Sequence, residues 1–336
     1  MKLIIQIPCF DEARTLPLTL ADLPREVAGF DAVEWLVVDD GSSDGTAEVA
    51  RRHGVEHLVR LSAHRGLAAA FQAGLDAALK LGADVIVNTD GDNQYAGADV
   101  HRLVEPIVAG RADMVVGDRT PHDDAGSPAA KRGLRRLGGF VVRSVSGLDV
   151  ADPASGFRAY TRDAALQVQV VSEFTYTVES TIEAGRQIVA VEQVPVRTNP
   201  QTRPSRLFPS VWVYARRNAL AIFRVYSRHE PLRVFWCAAL VLFLVAAAIW
   251  ARFLYFLVAD GGRGHVQSLL LGAVLFNAAM LLGALGVIGD LLHAQRVLAQ
   301  RTLERVRRIE LALEVPPARY ERMSEPESSA VGAAHE

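Results

Sequence analysis

Residues 1–200 alternate between short apolar runs and longer amphipathic stretches. The apolar runs lie at 3–7, 35–38, 57–61, 85–87 and 114–116. Between them, residues 67–81 and 99–109 carry apolar side chains at a spacing of three to four, which is typical of helices packed by one face. Strands that alternate with helices in this way predict a largely parallel sheet. This region is therefore predicted to be an α/β domain.

Two long apolar stretches, 235–258 and 268–292, follow this domain. The first contains one charged residue, Arg252, and the second is interrupted only by Asn277 and Asp290. A helix over the first stretch would be about 36 Å long, which exceeds the roughly 30 Å hydrocarbon core of a bilayer. The residues between the stretches are few and glycine-rich. The pattern predicts a transmembrane helical hairpin, and a buried hairpin in a soluble domain is the alternative.

Arginine placement predicts the orientation of this hairpin. Seven arginines lie between residues 203 and 233 and five between 296 and 308, whereas the connecting loop holds only Arg263. Because basic residues favour the cytoplasmic side, both flanks are expected in the cytoplasm. The expected location is the inner (plasma) membrane, with two spans and with the α/β domain and both termini cytoplasmic.

Composition narrows the classes of partner and suggests domain limits. The chain has 36 basic and 38 acidic residues, a balance that gives no support for nucleic-acid binding. Two distant cysteines, Cys9 and Cys237, exclude a disulfide framework and a cysteine zinc site. Residues 316–336 are rich in Pro, Glu, Ser and Ala, which predicts disorder. The expected divisions are an α/β domain at 1–205, juxtamembrane interfacial helices at 206–233, membrane helices at 234–292, and a cytoplasmic helix with a disordered tail at 293–336.

Carboxylates follow two of the predicted strands directly. Asp39 and Asp40 end the run at 36–40, and Asp90 and Asp92 follow the run at 85–89. Ligands of open α/β sheets bind at the carboxyl ends of strands, so both pairs are expected at one edge. The first pair is placed to accept hydrogen bonds from a base and a ribose, and the second to hold a hard cation and face a sugar. Either motif alone is also compatible with a solvated loop.

The two motifs together suit a nucleotide whose diphosphate is bound to a metal. A Mg²⁺ or Mn²⁺ ion would stabilise the charge that develops on the departing diphosphate. The chain also carries four further motifs in order. These are Ile-Pro-Cys-Phe-Asp-Glu at 7–12, Gly-Asp-Arg at 117–119, Asp-Pro-Ala-Ser-Gly-Phe-Arg at 152–158 and Ser-Arg-Leu at 205–207.

With these six motifs the chain resembles the inverting glycosyltransferases of the GT-A fold, family 2, from residue 3 to about 235. More narrowly, it is similar to the polyprenyl-phosphate glycosyltransferases, the group that includes dolichol-phosphate mannose synthase. The resemblance implies a GT-A catalytic domain and a nucleotide-sugar pocket lined by Pro8, Phe10, Glu12, Asp39, Asp40, Asp90 and Gln94. It also implies a metal and diphosphate site surrounded by Asp90, Asp92 and Gln94.

The same resemblance implies the remaining site residues. Arg119 and Arg206 would hold phosphates of the donor or acceptor, and together with Asp90 and Asp92 they form the expected catalytic set. Ser155, Gly156 and Phe157 would shape the pocket between the two substrates.

Three departures from the family pattern stand out. Asp11 occupies a position where the family usually has Asn, and Ala-His-Arg-Gly-Leu at 63–67 replaces Asn-x-Gly-Lys-Gly, with Arg65 as a candidate substitute for the lost lysine. Arg206 stands where lysine is common, and it retains the charge in a form that suits phosphate. The chain lacks the Gln-x-x-Arg-Trp motif of processive members, so transfer of a single sugar is expected.

A lipid phosphate is the expected acceptor. Residues 128–145 read as a basic amphipathic helix for an anionic interface, on which Arg132 and Arg136 are candidate acceptor contacts. A helix packed on the sheet is the alternative. A second candidate interfacial segment lies at 207–226. A phosphate monoester is largely a dianion at neutral pH, so an essential base is not expected, although Asp152 and Glu179 are candidates for assistance.

The expected function is inverting transfer of one sugar from a nucleotide-sugar to polyprenyl phosphate at the cytoplasmic membrane face. A UDP-sugar is favoured as donor, and GDP-mannose is the other option. One alternative is a family 2 enzyme acting on a glycolipid or protein hydroxyl, which would need a general base, and the other is a catalytically silent membrane adaptor. An apolar stripe at 303–313 fits either the membrane surface or self-association into a homo-oligomer.

Overall fold

The computed structural model describes residues 1–119, 143, 147–148, 150–170, 176–186, 190–200, 226–227, 230–260 and 266–323. The chain forms two compact units. An α/β unit comprises Met1–Arg217 and Leu303–Glu336, and a helical unit comprises Asn218–Thr302.

The α/β unit contains the strands and the shorter helices. The strands are β1 Lys2–Cys9, β2 Ala32–Asp39, β3 His57–Arg60, β4 Val85–Asn88, β5 Met114–Asp118, β6 Arg158–Thr161, β7 Val191–Pro195 and β8 Tyr320–Arg322. The helices are α1 Leu16–Asp22, α2 Thr46–Arg52, α3 Leu67–Lys80, α4 Val100–Val108, α5 Arg162–Gln167 and α6 Tyr176–Arg186. The five strands and two helices that hydrophobic patterning predicts are thus present.

The strands form one mixed sheet in the order β7-β5-β6-β4-β1-β2-β3-β8. The pairs β1–β2, β1–β4, β2–β3 and β5–β7 are parallel. Strand β6 runs antiparallel between β4 and β5, and β8 runs antiparallel to β3. The α/β prediction with a mostly parallel sheet is confirmed, and the antiparallel strands are additions that the apolar runs did not predict.

Strand β1 is buried on both faces, which explains its continuous apolar sequence. Leu3, Ile5 and Ile7 belong to one core layer, which also contains Leu16 of α1 and Leu103 of α4. Ile4 belongs to the opposite layer, with Phe71 and Leu75 of α3. Successive strand residues point to opposite faces, so one run of apolar residues serves both layers. Because β1, β2, β3 and β4 run parallel, their carboxyl ends lie at one edge of the sheet.

The helical unit contains α7, Pro231–Asp260, and most of α8, Val266–Ala312. Both helices are long and apolar enough to cross a membrane, with mean hydropathies of 2.5 and 2.2 in their most apolar windows. The indole of Trp250 in α7 packs against Gly272 in α8, where a Cβ atom would lie 2.2 Å from Nε1. This close approach explains a glycine inside an apolar helix.

A helix is present after residue 292, as predicted, and it is a continuation of α8, which extends without a break to Ala312. The disordered tail predicted from residue 316 is wrong for 320–322, because these residues form β8 on the edge strand β3. Composition measures only how much apolar surface a segment can bury, whereas an open edge strand offers backbone hydrogen bonds to any short segment. The predicted interfacial segments 128–145 and 207–226 lie outside the described residues, apart from Arg143 and Tyr226.

Candidate active site

Hydrogen bonds join the loops after β1 and β2 into one wall of the site. The Asp11 N–H donates to Ser42 Oγ at 2.9 Å, and the Ser43 N–H donates back to Asp11 Oδ1 at 2.9 Å. The Glu12 N–H donates to Thr46 Oγ1 at 3.0 Å. Asp11 has a φ of +51°, a left-handed conformation that Asn and Asp tolerate better than other side chains. The departure from the family's Asn is therefore a conservative one.

Asp39, at the end of β2, presents a buried acceptor oxygen. Its Oδ1 accepts a hydrogen bond from the Ser42 N–H at 2.9 Å. Its Oδ2 lies 3.2 Å from Arg60 Nε, as an ion pair, and accepts no hydrogen bond from the part of the chain that the structure describes. A buried oxygen without a hydrogen bond is costly, so this atom is available for a ligand donor.

Asp40 holds the loop that follows β3. Its carboxylate accepts the N–H groups of Arg65 and Gly66, each at 2.8 Å, and lies 2.8 Å from His64 Nδ1. The His64 ring in turn stacks on Phe10, with centroids 3.8 Å apart. Sequence reasoning offered Arg65 as a side-chain contact and gave His64 no role. The structure instead brings the Arg65 backbone and the His64 ring to the site.

The acidic pair after β4 contains a carboxyl group with a strongly raised pKa. Partial burial raises the pKa of Asp90 to about 7, and the neighbouring Asp92 carboxylate adds to the shift. The guanidinium groups of Arg119 and Arg158 lower the pKa of Asp90, whereas the Glu12 carboxylate raises it. The Asp92 Oδ1 accepts the Gln94 N–H at 3.1 Å, which folds the loop tightly around Asn93 at a φ of +58°. Asp90 therefore experiences the negative charge of two other carboxylates, those of Asp92 and Glu12.

These carboxylates fit a hard divalent cation. Carboxylate oxygens are the ligands such ions prefer, and Mg²⁺ sites commonly combine one or two of them with water and substrate phosphates. Among the described residues, no three acidic, histidine or cysteine side chains come together as a complete metal cage. The donor set thus suits an ion that arrives with the diphosphate of a ligand. The backbone of Gln94 holds this loop in place, because its N–H donates to Asp92 Oδ1 and its C=O accepts the Asn199 N–H at 2.9 Å.

Arg119 is held in place by a buried carboxylate. Its Nε and Nη2 donate to Asp152 Oδ2 and Oδ1 at 2.6 and 3.1 Å. Its guanidinium also lies 5.8 Å from the centre of the Tyr95 ring. The structure therefore assigns Asp152 a positioning contact with Arg119, which sequence reasoning did not predict.

The Ser-Gly-Phe segment places its backbone, more than its side chains, beside Asp90. Ser155 and Phe157 are fully buried, and Phe157 stacks on Tyr95 with centroids 5.0 Å apart. The Gly156 N–H donates to Tyr95 Oη at 2.9 Å, and its C=O accepts Asn88 Nδ2 at 2.7 Å. A Cβ at Gly156 would lie 2.9 Å from Tyr176 Oη and 3.0 Å from Asp90 Oδ1, so a larger residue would displace these side chains. Ser155 and Phe157 thus lie in the interior, and Gly156 is the residue of this segment that approaches Asp90.

Arg158 is a functional candidate that sequence reasoning missed. Its guanidinium is fully buried and donates to the carbonyls of Ser155 and Pro153, both at 2.7 Å. It also donates to the hydroxyls of Ser180 and Thr181 in α6, at 2.8 and 3.0 Å. This guanidinium lowers the pKa of Asp90, and its hydrogen bonds to the backbone hold the 153–155 loop in place. A charged residue at the start of a buried strand was the signal in the sequence.

Of the remaining predicted site residues, the structure describes some, while others lie outside the described residues. Pro8 is buried near the end of β1, and Glu12 is buried with its Oε2 accepting the Thr15 hydroxyl at 2.5 Å. Arg132, Arg136 and Arg206 lie outside the described residues, so their roles stay predictions.

Comparison with known proteins identifies the family. The family model described as Glycosyl transferase family 2 matches residues 4–168. Undecaprenyl-phosphate mannosyltransferase of Micrococcus luteus is 30% identical over 206 residues, which is 58% of this chain and 83% of that protein. The chain belongs to glycosyltransferase family 2. This glycosyltransferase is also 28% identical over 206 residues to polyprenol monophosphomannose synthase of Mycolicibacterium smegmatis, covering 58% of this chain and 76% of that one.

A solved structure shows the same fold. Glucosyl-3-phosphoglycerate synthase from Mycobacterium tuberculosis, in complex with Mn²⁺, UDP and glucosyl-3-phosphoglycerate, superposes with a TM-score of 0.51 at 17% identity. The match covers 67% of this chain and 78% of that one. The predicted GT-A fold of this glycosyltransferase is thereby confirmed.

Proposed function

We propose that this glycosyltransferase moves one sugar from a nucleotide-sugar to polyprenyl phosphate, with inversion, at the cytoplasmic face of the inner membrane. The observation that carries the proposal is the pairing of Asp90, whose pKa is raised to about 7, with the neighbouring Asp92 carboxylate at the strand edge that also holds Asp39. The names of the two relatives, a mannosyltransferase and a monophosphomannose synthase for polyprenyl phosphates, support the acceptor.

The nucleotide-sugar part of the proposal rests on residues of the loops after β1, β2 and β3. The Asp39 oxygen that pairs with Arg60 accepts no hydrogen bond from the described residues and suits an N–H or hydroxyl of the base or ribose, and the Phe10–His64 stack offers an aromatic face to the base. Asp90 and Asp92, with Gln94, would hold a Mg²⁺ or Mn²⁺ ion, which when bound neutralises the charge of the departing diphosphate. The wall suits UDP and GDP alike, and a UDP-sugar remains the favoured donor.

The acceptor half rests on the contacts of Asp152. Asp152, one of two candidate bases, is engaged through both oxygens by Arg119. A phosphate dianion needs no base, because its oxygen is already ionised at neutral pH. Positioning and charge stabilisation are then the main sources of rate, with Arg119 as a phosphate contact and Arg132, Arg136 and Arg206 as further candidates.

The two apolar helices support a membrane acceptor. Their length and hydropathy allow them to cross a bilayer, and the flanking arginines favour a cytoplasmic position for the α/β unit. An enzyme tethered to the bilayer meets its lipid acceptor at a high effective concentration.

A donor screen in liposomes tests the proposal. The purified enzyme is given radiolabelled UDP-sugars and GDP-mannose, with undecaprenyl phosphate or, as a matched control, the unphosphorylated polyprenol. Labelled lipid is expected with the phosphate and not with the alcohol. Labelling of the alcohol or of a protein hydroxyl would favour the rival acceptor, especially if Glu179→Gln abolished it. An absence of both nucleotide binding and donor hydrolysis would indicate an adaptor.

A further inference from the structure

The segment after the apolar part of α8 returns to the α/β unit. We define residues 307–323 as the C-terminal strap. Within it, Arg307 Nη1 donates to the carbonyls of Leu166 and Val168 at 3.1 and 3.2 Å. Glu310 lies 3.0 Å from Lys80 Nζ in α3. The strap is therefore anchored on the α/β unit before it reaches the sheet.

The strap then closes an edge of the sheet. Strand β8 pairs with β3 in the register His57 with Arg322 and Val59 with Tyr320. Backbone bonds extend the ladder at both ends, since the Arg60 N–H donates to the Arg319 C=O at 3.2 Å and the Met323 N–H to the Glu56 C=O at 3.0 Å. A short edge strand such as β3 would otherwise leave these groups unpaired.

Side chains fix the register of the strap. Tyr320 Oη lies 2.9 Å from Nδ1 of the buried His57, whose Nε2 lies 2.5 Å from Glu34 Oε2. Glu321 receives Nε and Nη2 of Arg51, at 3.3 and 2.8 Å. A one-residue slip of β8 would turn Tyr320 away from His57, so these contacts select one seating of the strand.

The strand that the strap supports ends in the wall of the donor pocket. Arg60, the last residue of β3, places its Nε 3.2 Å from Asp39 Oδ2, the oxygen assigned to the base or ribose. The next N–H, of Leu61, donates to the Asp39 C=O at 2.8 Å. Arg319 Nη1 also donates to Ser62 Oγ at 3.0 Å, immediately before the loop that Asp40 holds. The strap thus contacts the strand end and the loop start on either side of the predicted base contact.

We propose that the C-terminal strap is a positioning element of the nucleotide pocket, with Arg319 and Tyr320 as its positioning residues. The inference rests on the proposed function, because the pocket is assigned to a nucleotide there. The strap touches Arg60 and Ser62 rather than Asp90 or Asp92, so it acts on donor affinity and leaves the transfer step unchanged. The composition of residues 316–336 predicts disorder and gives this segment no role at the nucleotide pocket.

Two truncations of the full chain form a matched pair. A stop after Met323 keeps the strap, and a stop after Val315 removes β8 and Arg319. Titration with UDP and with GDP, each with Mn²⁺, is expected to show wild-type affinity in the longer form. The shorter form should bind about tenfold more weakly, a ratio that corresponds to about 1.4 kcal/mol. Its donor KM should rise by a similar factor, with kcat at saturating donor and the acceptor KM within about twofold of wild type.

A measurement on the intact protein covers the case in which the shorter form does not fold. If the strap strengthens nucleotide binding, linkage requires the nucleotide to stabilise the strap equally. Hydrogen exchange at β8 and β3 should therefore slow on addition of nucleotide and Mn²⁺, while exchange at β7 on the opposite edge stays unchanged. The double variant Arg319→Ala with Tyr320→Phe should weaken binding while retaining the backbone ladder.

The outcomes separate the two proposals. If the wild type binds neither nucleotide, the proposed function fails and the strap proposal fails with it. If the wild type binds one and either β8 exchange does not slow or both truncations bind equally, only the strap proposal is overturned. Equal falls in kcat and donor affinity would also overturn it, because they would indicate a general loss of structure.

Discussion

The ends of β2 and β4 each carry two carboxylates at one edge of the sheet, and the two pairs differ in their hydrogen bonds and in their electrostatic surroundings. Asp40 accepts two backbone N–H groups and contacts His64, so its charge is used to hold a loop. Asp90 instead has a pKa raised to about 7, by partial burial and by the nearby Asp92 carboxylate. Carboxylates that accept hydrogen bonds from their own chain thus shape a pocket, whereas a carboxyl group with a raised pKa beside a second carboxylate is suited to bind a cation.

The largest effect is expected from Asp92→Asn. Loss of this charge weakens the proposed cation site beside the diphosphate, so kcat should fall about 10²- to 10³-fold, the range seen when a single electrostatic stabiliser is removed. The melting temperature should not change, because the Asn Oδ1 can still accept the Gln94 N–H. Turnover and melting are measured on the same liposome preparation. Full turnover in the variant, or in the wild type with EDTA, would exclude the metal role.

The second effect is a pH dependence caused by Asp90. In the metal-free folded state its pKa is about 7, above its ordinary value, so the folded state binds its proton more tightly than the unfolded state. The resulting stability is fully present below about pH 4 and is lost as the pH rises through about 7, with a slope of at most about 1.4 kcal/mol per pH unit. Asp90→Asn should remove this slope. Melting in EDTA from pH 4 to 8 checks it, and parallel profiles for variant and wild type would contradict it.

Asp40→Asn sharpens the comparison from the other side. An amide can accept at one oxygen only, so its NH₂ group would face an N–H of the loop at Arg65 or Gly66. The unmade hydrogen bond should cost about 1–3 kcal/mol of stability and raise the donor KM. The same chemical change thus lowers the melting temperature at Asp40 and leaves it unaltered at Asp92. A stable Asp40→Asn protein with normal donor KM would refute the scaffold role.

The smallest effect is expected from His64→Ala. This half-exposed ring contributes a stack on Phe10 and one contact with Asp40, interactions worth about 1 kcal/mol or less at such positions. The donor KM should rise about two- to fivefold while kcat stays constant. His53→Ala, at the exposed end of α2, is the matched control and should change neither.

Sequence reasoning predicted the strands that bury apolar residues, and it missed the features that depend on distant backbone pairing. The runs containing Leu3, Leu36 and Val85 are strands because their apolar pattern is local. Strand β8 has no apolar pattern, and only the open edge of β3 gives it a partner. Patterns along the chain do not reveal such an edge.

The same limit applies to the site. Asp39, Asp40, Asp90 and Asp92 were found because an abrupt change from apolar to acidic residues is visible in sequence. Their division into scaffold and binding roles was not, because it depends on which N–H groups reach each oxygen. Asp152 and Arg158 were likewise seen as motif members, and only their contacts with Arg119 and Ser155 gave them positioning roles.

The most direct test of the account is Mn²⁺ binding measured by electron paramagnetic resonance in the presence of UDP or GDP. The wild type, Asp92→Asn and Asp40→Asn are compared at equal protein concentration at pH 8. Nucleotide-dependent Mn²⁺ binding should be lost in Asp92→Asn, whereas Asp40→Asn should still bind the ion once nucleotide is raised to saturation. Equal loss in both variants, or undiminished binding in Asp92→Asn, would contradict the division of roles between the two strand ends.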